Sequence, residues 1–119
     1  MDTKAYYGPG YWAAMHIDAF NAKTYETKIT SSNTIARMIT SFPCLRCRKH
    51  ATEYASQNPF IHAVNNGDPM SLFRWVWKFH NTVNKRLGKP IMSFEEAVKK
   101  WGDEAVCFET GCGDDSDED

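Results

Sequence analysis

The stretch that most limits the fold runs from the turn Asn65-Asn66-Gly67-Asp68-Pro69 to the stop Gly88-Lys89-Pro90. Between them, Leu72, Val76, Phe79, Val83 and Leu87 recur at intervals of three and four and form one apolar stripe. Phe73, Trp77, His80, Asn81 and Asn84 form a second stripe beside it. That period predicts a helix over about residues 69–87. Asp68 suits the N-cap and Pro69 the first helical residue. Gly88 can close the helix in a left-handed conformation, and Pro90 forbids its resumption. An apolar face of this width needs other helices to cover it.

The rest of the chain supplies them. Trp12, Met15, His16, Ala19 and Phe20 lie on one face of a first helix, with Pro9 expected in its first turn. Ile35, Met38 and Ile39 mark a second over roughly 30–40, with Ser and Thr at its start. Phe42 precedes a proline and therefore avoids the helical region, so a third helix starts afresh at about Pro43 and runs to Asn58-Pro59. Ser93 and Glu96 form a capping box for a short fifth helix that turns Phe94, Ala97, Val98 and Trp101 inward and is expected to end at Gly102. No strand pattern competes and no repeat is visible. The 119 residues, 42% hydrophobic and 13% aromatic, suffice for one core. The expected architecture is all-α: a four-helix bundle with a short fifth helix over residues 1–102, followed by a tail over 103–119.

The last six residues, DDSDED, carry five acids. Without them, fourteen basic residues face ten acidic ones, a net charge of +4 over residues 1–113. This mild excess lacks the clustering of a nucleic-acid binder. No apolar run approaches a membrane span and the N-terminus lacks a signal-peptide core, so a soluble, non-secreted protein is expected. Cysteine pairs in such a compartment are more often metal-binding or catalytic than structural.

The cysteines are Cys44, Cys47, Cys107 and Cys112. Cys44 and Cys47, in the run FPCLRCR, fall in the first turn of the third helix and share a face. The helix N-terminus, Arg46, Arg48 and Lys49 all favour a thiolate there. Spacing alone leaves three readings open: four zinc ligands, a redox pair, or a structural disulfide. The redox reading gives the second pair a task, because Cys107–Cys112 on a Gly-rich tail could meet an outside dithiol and exchange with Cys44–Cys47. Such a relay needs an acceptor for two electrons. Trp77, His80, Asn81 and Asn84, followed by Lys85, Arg86 and Lys89, together with Trp12 and His16, suit a ring system joined to a phosphate. Taken singly, these residues could equally be core aromatics, satisfied histidines and a solvated basic face. No Gly-x-Gly-x-x-Gly follows a strand, which excludes a Rossmann cradle.

The run HNTVNKRLGKP, His80 to Pro90, resembles the FAD-binding signature of the Erv/ALR flavin-linked sulfhydryl oxidases. GPGYWAAMH, Gly8 to His16, is similar to the family's first block, with Gly8, Trp12 and His16 at its spacing. The proline-preceded Cys-x-x-Cys lies between them in the family's order, and the resemblance covers about residues 8–101. It implies an FAD-dependent thiol oxidase with the isoalloxazine at the mouth of the bundle against the Cys-x-x-Cys. By the same resemblance Cys47 stands next to the flavin and Cys44 exchanges with the incoming disulfide. The shuttle role of Cys107 and Cys112 is a separate expectation that comes from the redox reading of the tail pair. Gly8, Trp12, His16, His80, Asn81, Val83, Asn84, Lys85, Leu87 and Lys89 would hold FAD. His50 and Tyr54 would flank it, and Trp101 would lie near the adenine. No metal is implied. The implied partners are protein dithiols, a downstream thiol carrier, oxygen as acceptor with hydrogen peroxide as product, and a second copy in a homodimer. Resemblance to the family's viral branch implies action in the host cytoplasm and the virion. The chain departs from the family in having Pro9 where an arginine is frequent, which leaves the phosphate to Lys85 or Arg86. Met92 stands near the place of an aromatic, and the cysteine pair that ties down the C-terminal segment in many relatives is absent.

Overall fold

In the computed structural model, the chain path is described for residues 3–110 and the side chains for residues 8–102. Every element in this range is helical: α1 (Thr3–Asn21), α2 (Tyr25–Ser41), α3 (Leu45–Gln57), α4 (Phe60–Asn65), α5 (Ser71–Arg86) and α6 (Phe94–Thr110). Helix α1 packs on α2, α5 and α6, while α2 also carries α3 and α4. Met15, Ala19, Ile35, Leu72, Phe73, Val76 and Ala97 form the fully buried centre. The first stripe of α5 faces this core as expected, except at its end, where Leu87 is exposed.

Several boundaries differ from expectation for identifiable reasons. Pro9 lies inside α1 rather than in its first turn, so α1 begins earlier than the proline suggests and forgoes one backbone bond there. Helix α2 starts at Tyr25 because Thr24 and Thr27 form a reciprocal cap. Phe42 does end α2, with the extended ψ of 133° that a following proline imposes. The third helix is capped by Cys44 itself, whose sulfur accepts the backbone N–H of Cys47 at 3.2 Å. Helix α4 is a single short turn and a half that no long period announces.

Asp68 is not the N-cap of α5. It acts two residues earlier, accepting the backbone N–H of Met70 at 2.9 Å and pairing with Arg74. Gly88 does close α5, at φ 72°. Ser93 and Glu96 make the expected capping box, with bonds of 3.1 and 2.8 Å. The helix they start is neither short nor ended by Gly102, because it continues to Thr110. Gly102 has another role: a Cβ there would meet the Phe20 ring at 3.1 Å, so the missing side chain lets α6 approach α1.

Lys28, only 2% exposed, is the one buried cation among the described residues. Its Nζ donates to the carbonyls of Asn66 and Asp68, each at 2.8 Å, and so ties α2 to the α4–α5 turn. Hydrogen bonds from a charged donor each contribute about 1.5–3 kcal/mol. Lys28→Met, which keeps the apolar stem, is expected to lower stability by about 2 kcal/mol in urea unfolding; an unchanged midpoint would show that the turn holds without this tether.

Candidate active site

The third helix positions the thiols. Cys44 is its N-cap and Cys47 its third residue, and the two are joined as a disulfide with Cα atoms 5.2 Å apart. They are therefore placed to pair with each other, as a redox couple is. Both cysteines are half-buried; Cys47 packs against the core, and Leu45, directly after Cys44, is 73% exposed. Within the described residues, no group of three or more His, Cys, Asp or Glu is placed to hold a metal ion. The tail half of the zinc reading cannot be placed, because the Cys107 side chain and all of Cys112 lie outside the described residues.

One turn on from Cys47 along α3 are His50 and Ala51, and two turns on is Tyr54, all on one side of the helix. Tyr54 meets Phe79 with ring centroids 5.2 Å apart. From Phe79 a run of rings crosses the molecule. Phe79 touches Trp12 at 5.1 Å, Trp12 stacks on His80 at 4.0 Å, His80 contacts His16 at 5.1 Å, and His16 stacks on Trp101 at 4.6 Å. Residues from α1, α3, α5 and α6, up to 89 positions apart in the chain, thus form one aromatic seam beginning on the redox helix.

The seam is polar where it is deepest. His16 is fully buried, and its Nδ1–H donates to the Trp12 carbonyl at 2.7 Å. Burial holds its pKa at about 3, against the Trp12 bond that raises it, with repulsion from His80 and Lys100 lowering it further. His80 is lowered to about 4 by burial, then by Lys100 and Lys89. Both rings are therefore neutral near pH 7. In His16 this leaves Nε2 as a bare acceptor with no partner, and Nε1–H of Trp101 is an equally unpartnered buried donor. Buried polar atoms are rarely left unpaired, and one acceptor beside one donor fits a ligand with both on its ring edge. Lys89 and Lys100 act on His80, and Lys100 lies over the Trp101 ring, so both exposed cations stand at this end and suit phosphates; Lys85 is exposed one turn before Lys89. The residues present therefore fit a flavin nucleotide.

The structure brings Trp12, His16, His80, Trp101 and, through Phe79, Tyr54 together. Others in the expected set do different work. Trp77 and Asn81 both donate to the Met92 carbonyl at 2.8 Å, and Asn81 Oδ1 accepts the Met92 N–H at 3.0 Å. They clamp the α5–α6 connection, so Trp77 faces Phe94 instead of walling the seam. Asn84 is buried beside Asn81, Val83 packs on the core, and Leu87 is exposed. A Cβ on Gly8 would meet nothing within 4 Å. His50 sits 3.9 Å from Glu53. Phe79 and Lys100 were missed. Phe79 was readable only as core, and Lys100 only as a solvated charge one residue before Trp101.

The family model for the Erv1/Alr family matches residues 9–102. The FAD-linked sulfhydryl oxidase of an African swine fever virus isolate from Namibia is 38% identical over 94 residues, covering 76% of each chain. The corresponding protein of a Kenyan isolate is 37% identical with the same coverage. FAD-linked sulfhydryl oxidase ERV1 of Oryza sativa subsp. japonica is 28% identical over 113 residues, which are 92% of this chain and 56% of that protein. The chain belongs to the Erv1/Alr family.

The neutral histidines give the protein a characteristic acid response. The unfolded chain takes up protons on His16 and His80 below about pH 6.5, and the folded chain resists until about 3 and 4. The unfolded state thus binds more protons in this window, and stability falls as pH falls. In ligand-free protein the urea midpoint is expected to drop from pH 6.5 downward, His16 contributing up to about 1.4 kcal/mol per pH unit. Carboxylates such as Asp68 and Glu96 contribute only at lower pH. His16→Gln should flatten the slope between pH 6.5 and 5, and an unaltered slope would assign it to other groups.

Proposed function

We propose that this chain is an FAD-linked sulfhydryl oxidase that forms disulfide bonds in protein dithiols. The observation that carries this reading is the Cys44–Cys47 disulfide on the helix from which the aromatic seam begins, with His16 Nε2 and Trp101 Nε1 unsatisfied at its far end. In this reading α1, α2, α3 and α5 are the four-helix bundle and the isoalloxazine lies at its mouth beside Cys47. Trp12, His16, His80, Asn84 and Trp101 would hold the rings. Lys85 and Lys89 would meet the phosphates, and His50 and Tyr54 would flank the redox pair. Asn81, Val83, Leu87 and Gly8 complete the proposed set, with Asn81 acting through the connection it clamps. FAD would supply acceptance of two electrons and their delivery to oxygen, giving hydrogen peroxide.

The protein's own steps follow from placement. A substrate thiolate attacks Sγ of Cys44, the half-buried sulfur beside the exposed Leu45. The Cys44–Cys47 bond breaks and Cys47 leaves as a thiolate against the core side. The second substrate thiol gives its proton to water and attacks the mixed disulfide, releasing Cys44. The substrate departs as a disulfide, and the pair holds two electrons. The N-terminus of α3 favours a leaving thiolate through its unpaired N–H groups. Exchange of this kind requires an accessible sulfur and a good leaving thiolate, and the two cysteines divide those roles.

For protein substrates, Cys107 and Cys112 would take the electrons first and pass them to Cys44, with a thiol carrier downstream. Action as a homodimer, in host cytoplasm and in the virion, is part of the same proposal, and the viral relatives bear on its viral setting alone. No helix of the described residues is long and apolar enough to cross a membrane.

The purified protein is expected to be yellow, with flavin absorbance, and to form one peroxide per disulfide made from a small dithiol. Cys47→Ser should lower turnover at least about a hundredfold while flavin absorbance stays. A colourless protein holding stoichiometric zinc would overturn the assignment in favour of a zinc-stapled interaction module. Replacing Cys107 and Cys112 together by Ala should impair oxidation of a protein substrate more than of a small dithiol, and equal effects would remove the shuttle role.

A further inference from the structure

Beside the redox pair runs an open groove of about 810 Å³ along the outer side of α3, lined by Thr40, Leu45, Arg48, Lys49 and Glu53 among others. Its features do not belong to the aromatic seam. Leu45, directly after Cys44, exposes most of its side chain at one end of the groove. Arg48 stands one turn after Cys44 on the same face, and its Nε is buried without a hydrogen-bond partner. Neither Arg48 nor Lys49 forms an ion pair with any described residue, and the one acid in the lining, Glu53, faces His50 at 3.9 Å. An apolar knob beside unpaired cations asks for an acidic polypeptide whose thiol can reach Cys44. The chain carries one: residues 112–119 read CGDDSDED, a cysteine and one glycine followed by five acids in the last six residues.

We propose that the groove formed by Leu45, Arg48 and Lys49 is the docking site for residues 112–119 of this chain, the acidic run pairing with the two cations so that the Cys112 thiol meets Sγ of Cys44. This rests on the functional reading above and adds to it what selects the incoming thiol. In the step so guided, the Cys112 thiolate attacks Cys44 and releases the Cys47 thiolate. Cys107 then loses its proton to water and attacks Cys112, releasing Cys44. Cys107–Cys112 leaves oxidised, and two electrons pass to the Cys44–Cys47 pair. The acidic tail, otherwise only a solubilising feature, becomes the address that brings its cysteine to the groove.

The test uses the full-length, flavin-loaded chain carrying Cys47→Ser and Cys107→Ser, equilibrated with oxidised glutathione as the two-electron acceptor. The fraction of Cys44–Cys112 crosslink is read by mass spectrometry after acid quench. The crosslink is expected at low salt and should fall roughly fivefold to tenfold at about 0.5 M salt, where charges more than about 4 Å apart are screened. It should fall similarly in Lys49→Glu, and also when the five acids become Asn and Gln. In Lys49→Glu it should recover when those acids become lysines, a rescue that an effect on thiolate reactivity alone cannot produce. A crosslink indifferent to salt and to both charge changes overturns the proposal. So does a crosslink that fails to form while an added acidic cysteine peptide is captured on Cys44, since the groove then serves an outside partner. Flavin absorbance and small-dithiol turnover of the tail-neutralised chain with all four cysteines in place keep the two readings apart. If both persist, only the docking fails; if both are absent in the unsubstituted chain, the oxidase assignment fails.

Discussion

The molecule is organised around a neutral imidazole. His16 touches Trp12, Phe73, His80 and Trp101, so one side chain of α1 contacts both α5 and α6. It can do so only uncharged, because an imidazolium at zero exposure would have no counter-ion. The bond from Nδ1 to the Trp12 carbonyl sets the tautomer, and the tautomer turns Nε2 into an acceptor facing the interior. The packing of the bundle and the hydrogen-bonding capacity of its site are therefore set by the same ring.

On α3, the two redox sulfurs occupy different positions. Cys44, as N-cap, sits where the chain turns into α3 and where Leu45 meets solvent. Cys47 lies a turn inward against the core. The difference is one of depth along the helix: three residues bring the side chain back to nearly the same face, about 4.5 Å further along the axis. A symmetric pair could exchange electrons in either direction equally. In the proposed reading, this pair has a side for the incoming thiol and a side for the acceptor.

How much of this was legible in the residues depended on the range of the cause. The α5 stripe, the Ser93–Glu96 box, the Phe42–Pro43 break and Gly88 are local devices, and each acts as its spacing indicates. Pro9 and Gly102 were misjudged because their local meaning, first turn and helix end, was overridden by neighbours. Gly102 is small because Phe20 occupies the space, a fact held by a residue 82 positions away. Trp77 and Asn81 share the apolar-polar stripe with His80, yet they serve the α5–α6 connection. A helical wheel gives direction, and it does not say which neighbour arrives there. Lys28 offered no signal at all, since its partners are carbonyls of a turn some forty residues on.

The sequence by itself determined the helical class, the redox-capable pair at a helix start, and the set of aromatic and basic residues able to take a nucleotide. These follow from periodicity, capping chemistry and residue type, which act over a few positions. Only the tertiary structure decided that Trp12, His16, His80 and Trp101 form one stacked seam, that His16 and His80 are neutral, and that His16 Nε2 and Trp101 Nε1 are left without partners. Those properties depend on burial and on contacts between helices distant in the chain, and desolvation exists only once the core has closed.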